Sequence, residues 1–129
     1  MTDRRRIPPL SAFEEATGFT RALRVDNRIL VSGMTAVLPD GSVPPDAAAQ
    51  ADRCFAEIIR YIEELGGRSD DVVRIRMFVT DIADADGVSA SFSRALRHAR
   101  PTGTLVAVAA LYRPEWKVEI EAEAVVPPR

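Results

Sequence analysis

The chain has 129 residues, 47% of them hydrophobic and 28% charged, with a formal net charge of -2. A chain of this length forms one ordinary domain, here residues 1–129, that needs no disulfide or metal to fold, and its acidic balance offers no general attraction to nucleic acid or an anionic membrane. The single cysteine excludes an internal disulfide, and no apolar run reaches the ~20 residues of a membrane span. The N-terminus is basic but meets Pro8-Pro9 where a secretory signal needs an apolar stretch, so a cytoplasmic protein is expected.

Residues 1–18 read as an irregular arm. Thr20 to Val25 and Arg28 to Met34 then read as two strands of a hairpin turned by Asp26-Asn27, a pair that tolerates positive φ. After the loop around Pro39-Asp40-Gly41, Asp46 is placed to cap a helix from about Ala47 to Leu65, whose Ala51, Phe55, Ile58, Ile59, Ile62 and Leu65 recur at helical spacing. Gly66-Gly67 stops it. Val72 to Val79 alternates as a strand, with Val73, Ile75, Met77 and Val79 on one side and Arg74, Arg76 and Phe78 on the other. A shorter helix follows from about Ala85 to His98, carrying Val88, Phe92, Ala95 and Leu96. Thr104 to Leu111 is apolar enough to be a buried strand. Lys117 to Val125 alternates most strictly, with Glu119, Glu121 and Glu123 opposite Val118, Ile120, Ala122 and Ala124.

The order β-β-α-β-α-β-β implies an α+β fold in which right-handed crossovers put both helices on one face of a mixed sheet. The other face then carries complementary charge, arginines on one strand and glutamates on another, and self-association is expected to close it. Metal chemistry has no support, because His98 and Cys54 stand alone and without ligand spacing. His98 reads as an exposed residue near a helix end, and Cys54 as a packed small hydrophobe. There is no nucleophile elbow, and Gly66-Gly67 closes a helix where a phosphate loop would open one. The remaining candidate is Glu119, which would be desolvated if an oligomer closed over its face; the simpler alternative is that all three glutamates form the wet side of a strand.

Val31-Ser32-Gly33, Asp46-Ala47-Ala48-Ala49-Gln50, Val72-Val73-Arg74, Phe78-Val79-Thr80-Asp81, Arg100-Pro101 and Val118-Glu119-Ile120-Glu121-Ala122, in this order and spacing, resemble the RidA family, also called YjgF/YER057c/UK114. The resemblance runs from about Phe19 to Val126. It implies a chorismate-mutase-like fold, a homotrimer around a central barrel and a small-molecule cleft at each subunit interface. Its best-known members hydrolyse 2-aminoacrylate and related imines to 2-keto acids and ammonia, without a cofactor. Carried over by position, the water-positioning glutamate is Glu119 and the serine and glycine are Ser32 and Gly33. The tyrosine becomes Phe19, the helix asparagine Ser89, the cysteine Leu105, and the substrate-binding arginine Gly103. Losing that arginine removes a two-pronged carboxylate anchor and points to an arginine-lacking branch. Arg21 and Arg100 are the candidate replacements, each with a plain surface role as its simpler reading. A non-catalytic metabolite-binding trimer is the alternative, and endoribonuclease activity is disfavoured by the acidic charge and the absence of an aromatic-studded basic stripe.

Overall fold

The computed structural model describes residues 2–129. Six strands form one mixed sheet: β1 (Arg4–Arg6), β2 (Ala22–Val25), β3 (Arg28–Met34), β4 (Val72–Val79), β5 (Thr102–Ala107) and β6 (Val118–Val125). They lie in the order β1-β2-β3-β6-β4-β5, all antiparallel except the β4–β5 pair. Helices α2 (Ala47–Glu64) and α3 (Ala85–Leu96) pack on one face, as the crossovers require. The core lies between them and the sheet, built by Phe55, Ile58 and Ile62 of α2, Val88 and Leu96 of α3, and Ile29, Ile75 and Ile120 of three adjacent strands.

Local signals set these boundaries. Asp46 Oδ1 accepts from Ala49 N at 2.7 Å, a cap worth about 1 kcal/mol. Asp26 takes φ +53° to close the hairpin, whose register pairs Val25 with Arg28. Helix α3 ends at Leu96, two residues earlier than its pattern suggests, and Arg100 adopts φ +47° just before Pro101.

Three expectations change. The N-terminal stretch is not irregular: β1 pairs with β2 at the sheet edge, and Ala12–Thr17 form a short helix, α1. The signal was Ser11-Ala12-Phe13-Glu14, a capping box in which Glu14 N donates to Ser11 Oγ, and Leu10 N and Ser11 Oγ both donate to Glu14 Oε2. Val73 is exposed while its neighbour Val72 is buried, because the β4–β6 register shifts between Val72 and Arg74 and the extra residue turns Val73 outward. Lastly, β5 begins at Thr102 and is an exposed edge strand, its apolar sequence notwithstanding; Val106 remains 42% exposed. Apolar content alone does not say whether a strand is covered by its own chain.

Candidate functional site

The strict alternation of β6 survives folding: Val118, Ile120, Ala122 and Ala124 are buried and the three glutamates line the opposite face. There β6 lies between β3 and β4, and strand register decides what each carboxylate meets. Glu121 faces Arg76, whose Nη1 donates to its Oε1 at 3.0 Å. Glu123 faces Arg74, with Nε at 3.8 Å, and accepts from Arg28 Nη2 at 3.1 Å. Glu119 instead faces Phe78 and has no ion-pair partner among the described residues. On its other side β3 carries an extra residue between Val31 and Met34, and Gly33 lies directly against the Glu119 side chain. A Cβ placed on Gly33 would fall 2.9 Å from Glu119 Cδ, so glycine is what leaves room for the carboxylate.

Burial is the largest influence on Glu119 and pushes its carboxyl above the ordinary range; the neighbouring Glu121 adds to this and Arg21 opposes it. Arg21 Nη1 donates to Gly33 O at 2.8 Å, and its guanidinium sits 5.3 Å from the centre of the Phe19 ring. Ser32 Oγ donates to Thr20 O at 2.7 Å, and Ser32 N donates to Arg21 O at 2.9 Å. Phe19, Arg21, Ser32, Gly33 and Glu119 therefore converge at one end of the helix-free face.

The other carried-over positions do not join them within the chain. Gly103 pairs with Ile75 on the far edge strand, and its missing side chain would point toward the Phe92 ring, 3.9 Å from the Cβ position. Two strand steps sideways and three residues along put its backbone roughly 14 Å from that of Glu119. Leu105 lies farther along β5, partly buried against the core, while Arg100 is exposed in the turn before β5 and Ser89 is exposed on α3, beyond the sheet's other face.

Cys54 is fully buried with its thiol donating to Met34 O at 3.3 Å, and burial, assisted by the Glu119 charge, pushes it up to about 12. It is no nucleophile in this setting. His98 is exposed after α3, with Nε2 2.9 Å from Ser69 Oγ and 3.4 Å from Asp70 Oδ1. No helix is long and apolar enough to cross a membrane among the described residues.

Two groups of residues near the site were not foreseen. The ring of Phe13, on α1, lies 5.7 Å from that of Phe19, and the ring of Tyr112, in the β5–β6 connection, lies 5.8 Å from Phe13. Phe19 also lines a cavity of about 460 Å³ together with Arg6, Ile7, Pro9, Glu14 and Leu23. The capping box could have placed Phe13 and Glu14 on a helix; nothing local to Tyr112 signals that it meets Phe13.

Fold and site together define a class: a small α+β protein whose mixed sheet is covered by helices on one face and carries on the other a half-buried carboxylate with no ion-pair partner among the described residues. Comparison with known proteins gives the same fold and a family for it. The family model described as Endoribonuclease L-PSP matches residues 9–126. The chain is 32% identical over 111 residues to the 2-iminobutanoate/2-iminopropanoate deaminase of Escherichia coli, covering 83% of this chain and 86% of that one. Its fold matches the crystal structure of a YjgF/YER057c/UK114 family member from Mycobacterium tuberculosis with TM-score 0.88 and 35% identity, over 96% of this chain and all of that one. The YjgF gene product of E. coli superposes with TM-score 0.76 and 33% identity, over 83% of this chain and 87% of that one. The chain belongs to this family, the RidA or YjgF/YER057c/UK114 proteins.

Proposed function

We propose that the chain is a cofactor-independent hydrolase of small imines or enamines that lack a carboxylate, working as a cytoplasmic homotrimer with a cleft along each subunit seam. The observation that carries this reading is Glu119. It is half-buried, holds no ion-pair partner among the described residues, and has its proton affinity raised by burial. Such a carboxylate takes a proton from water as the oxygen attacks the carbon of a protonated imine, returns it to the nitrogen of the carbinolamine, and takes the hydroxyl proton as the C–N bond breaks, leaving the carbonyl product and ammonia. Arg21, tied to Gly33 O, supplies a nearby positive charge that keeps the carboxylate ionisable.

The substrate class is argued from the position that the resemblance assigns to the substrate's carboxylate anchor. The family's arginine position holds Gly103, which supplies no fork for a carboxylate, and Arg21 is already engaged by Gly33 O and Phe19. Self-association is supported by β5, an exposed edge strand with Val106 outward, and by the helix-free face with its arginines and glutamates.

One observation favours a non-catalytic binder as the second reading. The Ser32 hydroxyl is committed to Thr20 O and Phe19 has no hydroxyl, so Glu119 has no obvious second proton donor beside it. Ammonia release from a carboxylate-free imine, from 2-aminoacrylate, and from both with Glu119→Ala separates the possibilities. Turnover of the first substrate alone, lost on substitution, is expected. Turnover of 2-aminoacrylate at the level of arginine-bearing relatives would overturn the role given to Gly103, and no turnover of either would leave the binder. Sedimentation showing only a stable single subunit would remove the cleft.

A further inference from the structure

We propose that Arg21 is a positioning residue for Glu119: it clamps the bulge of β3 and so fixes the Gly33 backbone against which the carboxylate rests. The reason begins with strand pairing. Between Val31 and Met34, β3 carries one residue more than β6, and neither Ser32 nor Gly33 has a partner there. A bulge of this kind leaves backbone groups outside the ladder, and they need other partners. Three replacement bonds come from two consecutive residues just ahead of β2. Ser32 N donates to Arg21 O at 2.9 Å, Ser32 Oγ donates to Thr20 O at 2.7 Å, and Arg21 Nη1 donates to Gly33 O at 2.8 Å. The third reaches the residue that touches Glu119.

The clamp is itself held. Arg21 is half-buried, and its guanidinium carbon lies 5.3 Å from the centre of the Phe19 ring, a cation–π contact that narrows the rotamers of a long side chain. This use of the ring needs no hydroxyl. On the other side of the clamp there is no slack: a Cβ on Gly33 would stand 2.9 Å from Glu119 Cδ and 3.1 Å from its Oε2. A turn of the Gly33 peptide therefore moves the carboxylate, and a displacement of about 1 Å at a reacting group can cost on the order of 100-fold in rate. Arg21 does not restore the anchor lost at Gly103, because its guanidinium is turned to a carbonyl of its own chain. Its charge acts on Glu119 as well, opposing the effect of burial, whereas Glu121 on the same strand reinforces that effect. The other groups around the carboxylate are the buried Cys54 thiol of α2 and the exposed Lys117 just before β6, while β3 and β4 present the uncharged Gly33 and Phe78.

As a statement about turnover, this rests on the hydrolase reading; as a statement about where the carboxylate sits and how it titrates, it does not. The test therefore begins without substrate. The Glu119 carboxyl carbon and the Gly33 carbonyl carbon are followed by NMR through a pH titration of the wild type, Arg21→Lys, Arg21→Gln and Arg21→Met, with thermal denaturation alongside. Arg21→Met keeps the stem but loses donor and charge, so it is expected to move the Gly33 resonance and to raise the Glu119 midpoint by roughly half a pH unit. Arg21→Gln should raise the midpoint similarly, and Arg21→Lys should hold it near the wild-type value because the charge remains; these two decide the matter should Arg21→Met fail to fold. With any imine the wild type hydrolyses, Arg21→Met should lower kcat about tenfold and change KM less than about threefold, and the acid limb of kcat/KM should move up in step with the NMR midpoint. An unmoved Gly33 resonance and an unmoved Glu119 midpoint would overturn the clamp, even with stability reduced, since a merely structural arginine would alter stability alone. A rise in KM at constant kcat would overturn it too, by making Arg21 a substrate contact. Both resonances responding in a protein that turns over no imine would sink the hydrolase and leave the clamp standing, whereas turnover with neither responding would do the reverse.

Discussion

Glu119 and Glu121 sit two residues apart on the same strand and the same face, yet their surroundings give them opposite characters. Glu121 meets Arg76 across the strand pair at 3.0 Å, beside a small cavity of about 90 Å³. Glu119 meets an aromatic ring on one side and a glycine on the other, and its proton affinity rises. The cross-strand neighbour, set by register, turns one carboxylate into half of an ion pair and leaves the next with no ion-pair partner among the described residues. Repeating sequence does not mean repeated chemistry.

The sharpest way to break that contrast is to remove each carboxylate in turn. Glu119→Gln should lower turnover by at least about 100-fold, the usual scale of a lost general base, while Glu121→Gln should change it less than about threefold. Equal losses measured on any imine the wild type hydrolyses would mean the two glutamates share one role. Gly33→Ala comes next. The added methyl meets the far end of a flexible side chain, so thermal denaturation should show a loss under about 1 kcal/mol, but the displaced carboxylate should cost about tenfold in kcat.

The pH dependence should follow the raised proton affinity of Glu119 in two measurements. Turnover needs the ionised form, so kcat/KM should rise with pH along an acid limb lying above the ordinary glutamate range. Stability should run the other way. The folded chain holds the Glu119 proton more tightly than the unfolded chain, so this residue's contribution is fully present below the unfolded value and lost as pH rises through the folded one. Glu119→Gln should flatten that decline in denaturant titrations; an unchanged slope would place the carboxylate in water.

The smallest effect belongs to the paired side of the comparison. Arg76→Ala should destabilise the chain by only a few tenths of a kcal/mol, because the pair is partly exposed and screened by solvent. A loss above about 2 kcal/mol would mean that this face is far drier than the isolated chain makes it, as closure by other subunits would produce.

Much of this was legible in the residues. The alternation of β6, the amphipathic spacing of α2 and the hairpin at Asp26-Asn27 each fix a local conformation through side-chain periodicity or backbone tolerance, and all three appear where the pattern puts them. The family motifs were equally readable, since their order along the chain needs no coordinates. The misreadings have physical reasons. An extra residue in β4 turned Val73 out, a three-residue strand and a six-residue helix were too short to show periodicity, and the apolar β5 fell at the sheet edge.

The sequence by itself determined which residues of β6 face the core and which carry charge, because a strand's two-residue period is a property of the backbone. Only the tertiary structure decided which of the three glutamates is left unpaired, because that depends on what two neighbouring strands, one eighty-odd and one forty-odd residues earlier in the chain, bring alongside. The same holds for Phe13, Phe19 and Tyr112: each ring is written in the chain, but their meeting is a consequence of packing that brings Tyr112 to a residue about a hundred positions earlier, which no local pattern encodes.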